Sequence, residues 1–142
     1  MKSLKEILGS KNILTVNSGT TIYDVTCFMA KHNTGLSPVI AEDGKLLGVF
    51  SERDLVRRVI AKELDLKKTS VDEVMTKDLL VADISQSHEQ CLMKMKEKCT
   101  RHILIVDKEK LVGILSIKDF LEVDIKDQKE TIEVLHNYIY AR

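Results

Sequence analysis

The chain has no tryptophan, and aromatic residues make up only 4% of it. That scarcity argues against a stacking platform for single-stranded nucleic acid or an aromatic shelf for sugars. Its three cysteines, Cys27, Cys91 and Cys99, are too few and too odd in number for a disulfide scaffold, and they fit a reducing cytosol. There is no excess of either charge: 22 Lys and Arg stand against 22 Asp and Glu, leaving no positive surplus to meet nucleic-acid phosphates. No hydrophobic run is long enough to span a membrane, and the longest aliphatic stretch, Ile103-Leu104-Ile105-Val106, has the length of a buried strand. Met1 to Glu6 lacks the apolar core of a signal peptide. These absences predict a cytoplasmic protein without nucleic-acid or membrane partners. Enzyme signatures are missing too: there is no GxxxxGK[ST] loop, no nucleophile elbow and no Ser-His-Asp ordering.

What is present is an ordinary globular balance, 44% hydrophobic and 31% charged over 142 residues. Such a chain can bury a sizeable core as one domain or as two intimately packed halves. The halves are visible as a repeat. Gly48-Val49-Phe50-Ser51-Glu52-Arg53-Asp54-Leu55 matches Gly113-Ile114-Leu115-Ser116-Ile117-Lys118-Asp119-Phe120 in its Gly, Ser and Asp, with a base before each Asp. Upstream, Val25 matches Cys91 and Met29 matches Met95. The copies differ in length at a turn, where Glu42-Asp43-Gly44-Lys45 is one residue longer than Lys108-Glu109-Lys110.

Each copy reads as strand, helix, strand, strand, helix. In the first, Leu14 to Val16 is a strand, and Thr21 caps a helix to about His32 with Val25, Phe28 and Met29 on its apolar stripe. Ser37 to Ala41 and Leu46 to Phe50 form a hairpin around Asp43-Gly44, and Ser51 caps a helix to about Ala61. In the second, Leu79 to Ala82, Ser87 to Lys98, Ile103 to Asp107, Leu111 to Leu115 and Ser116 to Val123 take the same roles. Glu63 to Thr69 is a charged connector. Ser70 to Met75 and Ser3 to Leu8 are short helices, the former with Ser70 and Glu73 placed as a capping box and the latter ended by Gly9. After a polar stretch, Asp124 to Glu130, comes an amphipathic tail with Ile125, Ile132, Leu135 and Ile139 on one face. Two readings of that face stand: packing on its own domain, or contact with a second copy. The predicted fold is α/β, two βαββα repeats packed sheet to sheet with pseudo-twofold symmetry. Residues 1–68 hold the first repeat with the N-terminal helix, 69–123 the second, and 124–142 the tail helix.

The repeated turn has chemical potential. Ser51 and Ser116 open helices whose free N–H groups and dipole favour an anion. Asp54 and Asp119, one turn in, are placed to accept hydrogen bonds from a pair of sugar hydroxyls. Phosphate near the Ser and ribose on the Asp make a nucleotide cradle. Ser-x-x-Asp is equally a plain capping box, in which the two side chains satisfy the helix itself.

These stretches resemble the cystathionine-β-synthase (CBS) domain pair, or Bateman module. The resemblance is carried by Val74-Met75-Thr76-Lys77, by Arg101-His102-Ile103-Leu104-Ile105-Val106-Asp107 and by Gly48 to Asp54, and it covers roughly residues 8 to 123. It resembles in particular the stand-alone bacterial type. It implies a regulatory module that binds AMP, ADP or ATP in clefts between the repeats, requires no cofactor, assembles as a homodimer and modulates a separate, unidentified protein. Alternatives are a CBS pair for S-adenosylmethionine or NAD(H), and a structural dimerisation or interaction module with empty clefts. Carried over by the resemblance, one cleft joins Ser116, Lys118 and Asp119 to Ser10, Leu14, Thr15, Gly35, Leu36 and Ser37. The other joins Ser51, Arg53 and Asp54 to Thr76, Leu80, Val81, Arg101 and His102. On that grouping the second cleft gathers two Arg and a His, and is predicted to take the more phosphorylated nucleotide, or to fill first.

The remaining candidates are weaker. His88 and Cys91 share a helix face at a metal-like spacing, but no second ligand pair accompanies them and Cys91 falls on an apolar position, so it reads as a core thiol. Cys99, near Arg101 and His102, reads as an unreactive, half-exposed thiol. His32 and His136 read as surface residues. Met29, Met93 and Met95 read as core.

Overall fold

The computed structural model describes residues 3–9 and 12–140. In chain order the elements are α1 (Leu4–Leu8), β1 (Val16–Asn17), α2 (Ile22–Lys31), β2 (Leu36–Ile40), β3 (Leu46–Ser51) and α3 (Glu52–Asp54). A π-helical segment, Leu55–Ile60, continues α3, and a 3-10 turn, Val71–Glu73, follows. Then come β4 (Val81–Asp83), α4 (His88–Lys98), β5 (His102–Asp107), β6 (Lys110–Ser116) and α5 (Ile117–Tyr140). There are two three-stranded sheets, ordered β1-β2-β3 and β4-β5-β6. The chain divides into two compact units, one of residues 12–79 with 106–112, the other of the described residues of 1–11 with 80–105 and 113–140.

In the unit of the first repeat, β1 runs parallel to β2, and β2 pairs antiparallel with β3. The pairing opposes Leu36 to Ser51, Pro38 to Val49 and Val39 to Gly48. Thr21 caps α2, its hydroxyl accepting from the Asp24 N–H at 3.2 Å. Ile22, Val25 and Met29 recur at helical spacing and bury one stripe of α2. They form one buried cluster with Val39, Phe50, Val59, Val71, Val74 and Met75. Phe50 is fully buried; withdrawing such a side chain from water contributes about 1.5–3 kcal/mol.

The segment after the 3-10 turn crosses β3 at close range. Val49 and Thr76 exchange both backbone hydrogen bonds, at 2.8 and 2.9 Å. A Cβ on Gly48 would lie 2.7 Å from the Met75 sulfur and 2.9 Å from the Thr76 carbonyl oxygen. The glycine is required by that approach, not by its backbone angles.

The unit of the second repeat repeats this device with a different segment. A Cβ on Gly113 would collide with the Leu8 side chain of α1, and α1 also packs against α5. The short helix that precedes the first repeat in sequence therefore covers the second, and the turn that precedes the second covers the first. The linear division at residue 68 does not follow these spatial units. A helix of five residues has no stability of its own, so it goes where its apolar residues, Leu4 and Leu8, are buried.

Other differences from the sequence reading are local. Pairing begins at Val16 and Val81, later than the expected strand starts. The expected break between Val123 and the tail is absent, because α5 is unbroken; Asp124 to Glu130 contains no glycine or proline to end a helix. Met93 is exposed, whereas Met29 and Met95 are core. Cys91 is buried, and burial pushes its thiol above the ordinary value, with Lys94 pulling weakly the other way. Cys99 is an exposed residue with φ 53°, and its repeat counterpart Asn33 has φ 51°, so both helices end on a left-handed residue.

Candidate functional site

Both Ser-x-x-Asp turns fold in the same way. Ser51 is extended at the end of β3, and its hydroxyl accepts from the Asp54 N–H at 3.2 Å. Asp54 Oδ2 in return accepts from the Ser51 N–H at 3.0 Å and its hydroxyl at 3.1 Å. At the second turn Asp119 Oδ2 accepts from the Ser116 N–H at 2.8 Å and its hydroxyl at 3.0 Å, and the Asp119 N–H donates to Ser116 Oγ at 3.2 Å. Each is a closed capping box.

The two carboxylates then diverge. Asp54 is only 5% exposed. Its Oδ1 accepts from the Thr76 hydroxyl at 3.0 Å and lies 3.5 Å from Arg58 Nε. A carboxylate offers about four acceptor positions, and these four groups fill them. Asp54 is thereby a knot between β3, α3 and the segment crossing Gly48. The Thr76 hydroxyl, expected to face a ligand, is spent on Asp54. Arg58 was not among the sequence candidates, although it stands four residues after Asp54, the spacing at which helical charges meet. It also donates to the Val74 and Met75 carbonyls at 3.4 and 3.3 Å. Asp119 is half-buried.

The structure also groups the expected site residues differently. In an antiparallel hairpin the start of one strand lies beside the end of the other. The Glu52 N–H donates to the Gly35 carbonyl at 3.0 Å, and Leu36 is registered opposite Ser51. The Ile117 N–H donates to the Arg101 carbonyl at 3.0 Å. Gly35, Leu36 and Ser37 thus belong beside Ser51, and Arg101 and His102 beside Ser116, the reverse of the grouping carried over from the resemblance. The second turn carries Arg101, His102 and Lys118, all exposed, where the first has uncharged Gly35 and Leu36. Arg53 is exposed next to Asp54.

The remaining candidates are placed as follows. Leu14 and Thr15 are half-buried ahead of β1. The Leu80 carbonyl accepts from the Leu104 N–H at 3.0 Å, and the Val81 carbonyl accepts from Lys94 Nζ at 3.3 Å. Ser37 is fully buried, and its hydroxyl has no partner among the described residues. Ser10 lies outside the described residues. A cleft of about 210 Å³ opens in the first unit between Thr26, Ala30, Asn33, Gly35 and Glu52. It is smaller than small-molecule sites of roughly 300–1,000 Å³. Among the described residues no group of three or more His, Cys, Asp or Glu is placed to hold a metal ion, and no helix is long and apolar enough to cross a membrane.

Comparison with known proteins agrees with this architecture. The family model of the CBS domain matches residues 4–61 and 71–126. The chain is 34% identical over 119 residues to the CBS domain-containing protein YhcV of Bacillus subtilis, a match covering 84% of this chain and 83% of that one. Other curated relatives are longer, and the chain spans 60% of one and 22% of another. Among solved structures, a putative signal-transduction protein with CBS domains from Burkholderia ambifaria superposes with a TM-score of 0.74 at 32% identity, covering 89% of this chain and 96% of that one. A CBS domain protein from Pyrobaculum aerophilum, solved in complex with AMP, superposes with a TM-score of 0.72 at 28% identity, covering 83% of this chain and 89% of that one.

Proposed function

We propose that this chain, which belongs to the CBS domain family, is a regulatory module that binds an adenine nucleotide of the AMP type and acts on a separate protein without catalysing a reaction. The observation that carries the reading is the second Ser-x-x-Asp turn. There the N-terminus of a 24-residue helix stands beside Arg101, His102 and Lys118. Helix dipole and three basic side chains together favour a phosphate, and Asp119 is the carboxylate for the ribose. Binding of AMP by a relative 28% identical supports the ligand class. The first turn is the weaker phosphate site, because uncharged Gly35 and Leu36 stand where the second has Arg101 and His102. Regulation follows by linkage: a ligand shifts the balance between two arrangements of the module only by its difference in affinity for them.

The test is a thermal shift with AMP, ADP, ATP, S-adenosylmethionine and NADH. A ligand at a hundredfold excess over its Kd adds roughly 2.7 kcal/mol, enough to raise the Tm by several degrees. AMP is expected to give a clear shift that Arg101→Ala diminishes. The competing reading, a structural interaction module, draws on the two closed capping boxes, and absence of a shift with all five compounds would favour it.

A further inference from the structure

We infer that α5 pairs with α5 of a second copy of this chain as a short parallel two-stranded coiled coil; the inference goes beyond the ligand reading and does not depend on it. α5 has two unlike sides. One faces its own unit through Phe120, which is fully buried and stacks on His88 at 5.0 Å, with Val123, Asp124 and Asp127 half-buried on the same side. The other, about a third of a turn round the helix, carries Leu121, Ile125, Gln128, Ile132, Leu135 and Ile139, spaced alternately by four and three residues. The five apolar members are 52–68% exposed. That spacing is a heptad seam. No described residue of its own unit covers the seam, so the reading in which the tail packs on its own domain does not hold for this face.

The residue types name the occupant. Ile stands at all three a positions, 125, 132 and 139, and Leu at two of the three d positions, 121 and 135. β-branched residues at a with Leu at d favour a parallel pair of strands over higher assemblies. Gln128 holds the remaining d position. In a parallel, in-register pair it meets its own equivalent, and a single polar layer of that kind selects register and strand number at a cost in affinity. The flanks bear on direction. Asp124 at g is engaged with its own unit, 3.5 Å from His88 Nε2, which leaves Lys129 at e as the discriminating charge: an antiparallel pair with full seam overlap sets Lys129 against Lys129, and a parallel pair keeps the two on opposite flanks.

Sedimentation of the full chain tests this, with Ile132→Asp and Gln128→Leu as variants. The wild-type chain is expected to sediment as a dimer. Ile132→Asp buries a charge in each strand and should weaken the dimer about a hundredfold. Its thermal transition at low micromolar concentration should stay unimodal, because residue 132 is exposed in the single chain. Gln128→Leu should tighten the dimer about tenfold. Direction is read by Gln128→Cys in a Cys27→Ser/Cys99→Ser background, where mild oxidation should yield a covalent dimer through residue 128. A monomeric wild type, a dimer insensitive to Ile132→Asp, or a Gln128→Cys dimer that fails to cross-link would each overturn the inference.

Discussion

Asp54→Ala is expected to lower the unfolding free energy by about 1–3 kcal/mol. The cost comes from what the substitution strands. Removal of the Asp54 carboxylate leaves the Ser51 N–H and hydroxyl and the Thr76 hydroxyl, all half-buried, without that acceptor. Unmade hydrogen bonds of buried groups cost more than the bonds themselves contribute. Arg58 adds little, because its side chain is half exposed and solvent screens the pair. Urea denaturation measures the loss. Nucleotide affinity should respond to the other turn. Asp119→Ala should lose at least about tenfold in AMP affinity, the equivalent of roughly 1.4 kcal/mol, and Asp54→Ala should stay close to wild type. An Asp54→Ala variant as stable as the wild type, or an AMP site that disappears only with Asp54, would contradict these roles.

The second large effect is expected at Gly48. Gly48→Ala should cost about 2–3 kcal/mol, typical of overpacking, because the added carbon meets the Met75 side chain and a backbone oxygen at once. Thr76 cannot step aside without breaking its paired hydrogen bonds with Val49. Gly113→Ala should cost less, about 1 kcal/mol, since its neighbour is the end of a Leu8 side chain on a five-residue helix that can shift. Thermal melts of the two variants side by side decide this. A Gly113 variant as damaged as the Gly48 variant would mean that α1 is held more rigidly than its length suggests.

The repeat, the hairpins and the caps are legible in the sequence because they are local. Thr21, Ser70 and Ser87 announce helix starts through side chains that reach three residues or fewer, and each makes its expected contact. Strand-to-strand neighbours within a hairpin follow from register alone, which is why the hairpins group Arg101 with Ser116 whatever a family analogy suggests. What stays hidden is long-range. No pattern in the sequence says that Thr76 will return to Asp54 across 22 positions, or that Leu8 will lie over Gly113. The two glycines stand out as matching members of the repeat, but the identity of the neighbour that each admits belongs to tertiary structure. The run of α5 through Asp124 to Glu130 escapes the sequence reading because polarity is a poor helix breaker; charged residues on an exposed surface propagate a helix as well as any.

The exchanged covers bear on how the chain matures during synthesis. Residues 12–79 emerge early, yet their unit also contains residues 106–112, so it stays incomplete until that later stretch has been made. α1 emerges ahead of both sheets and waits longest, since the glycine it shields is Gly113. A nascent half is therefore an unfinished object with an uncovered flank. Cleavage in the connector, or expression of either half separately, should release fragments that seek each other out rather than two independent folded products.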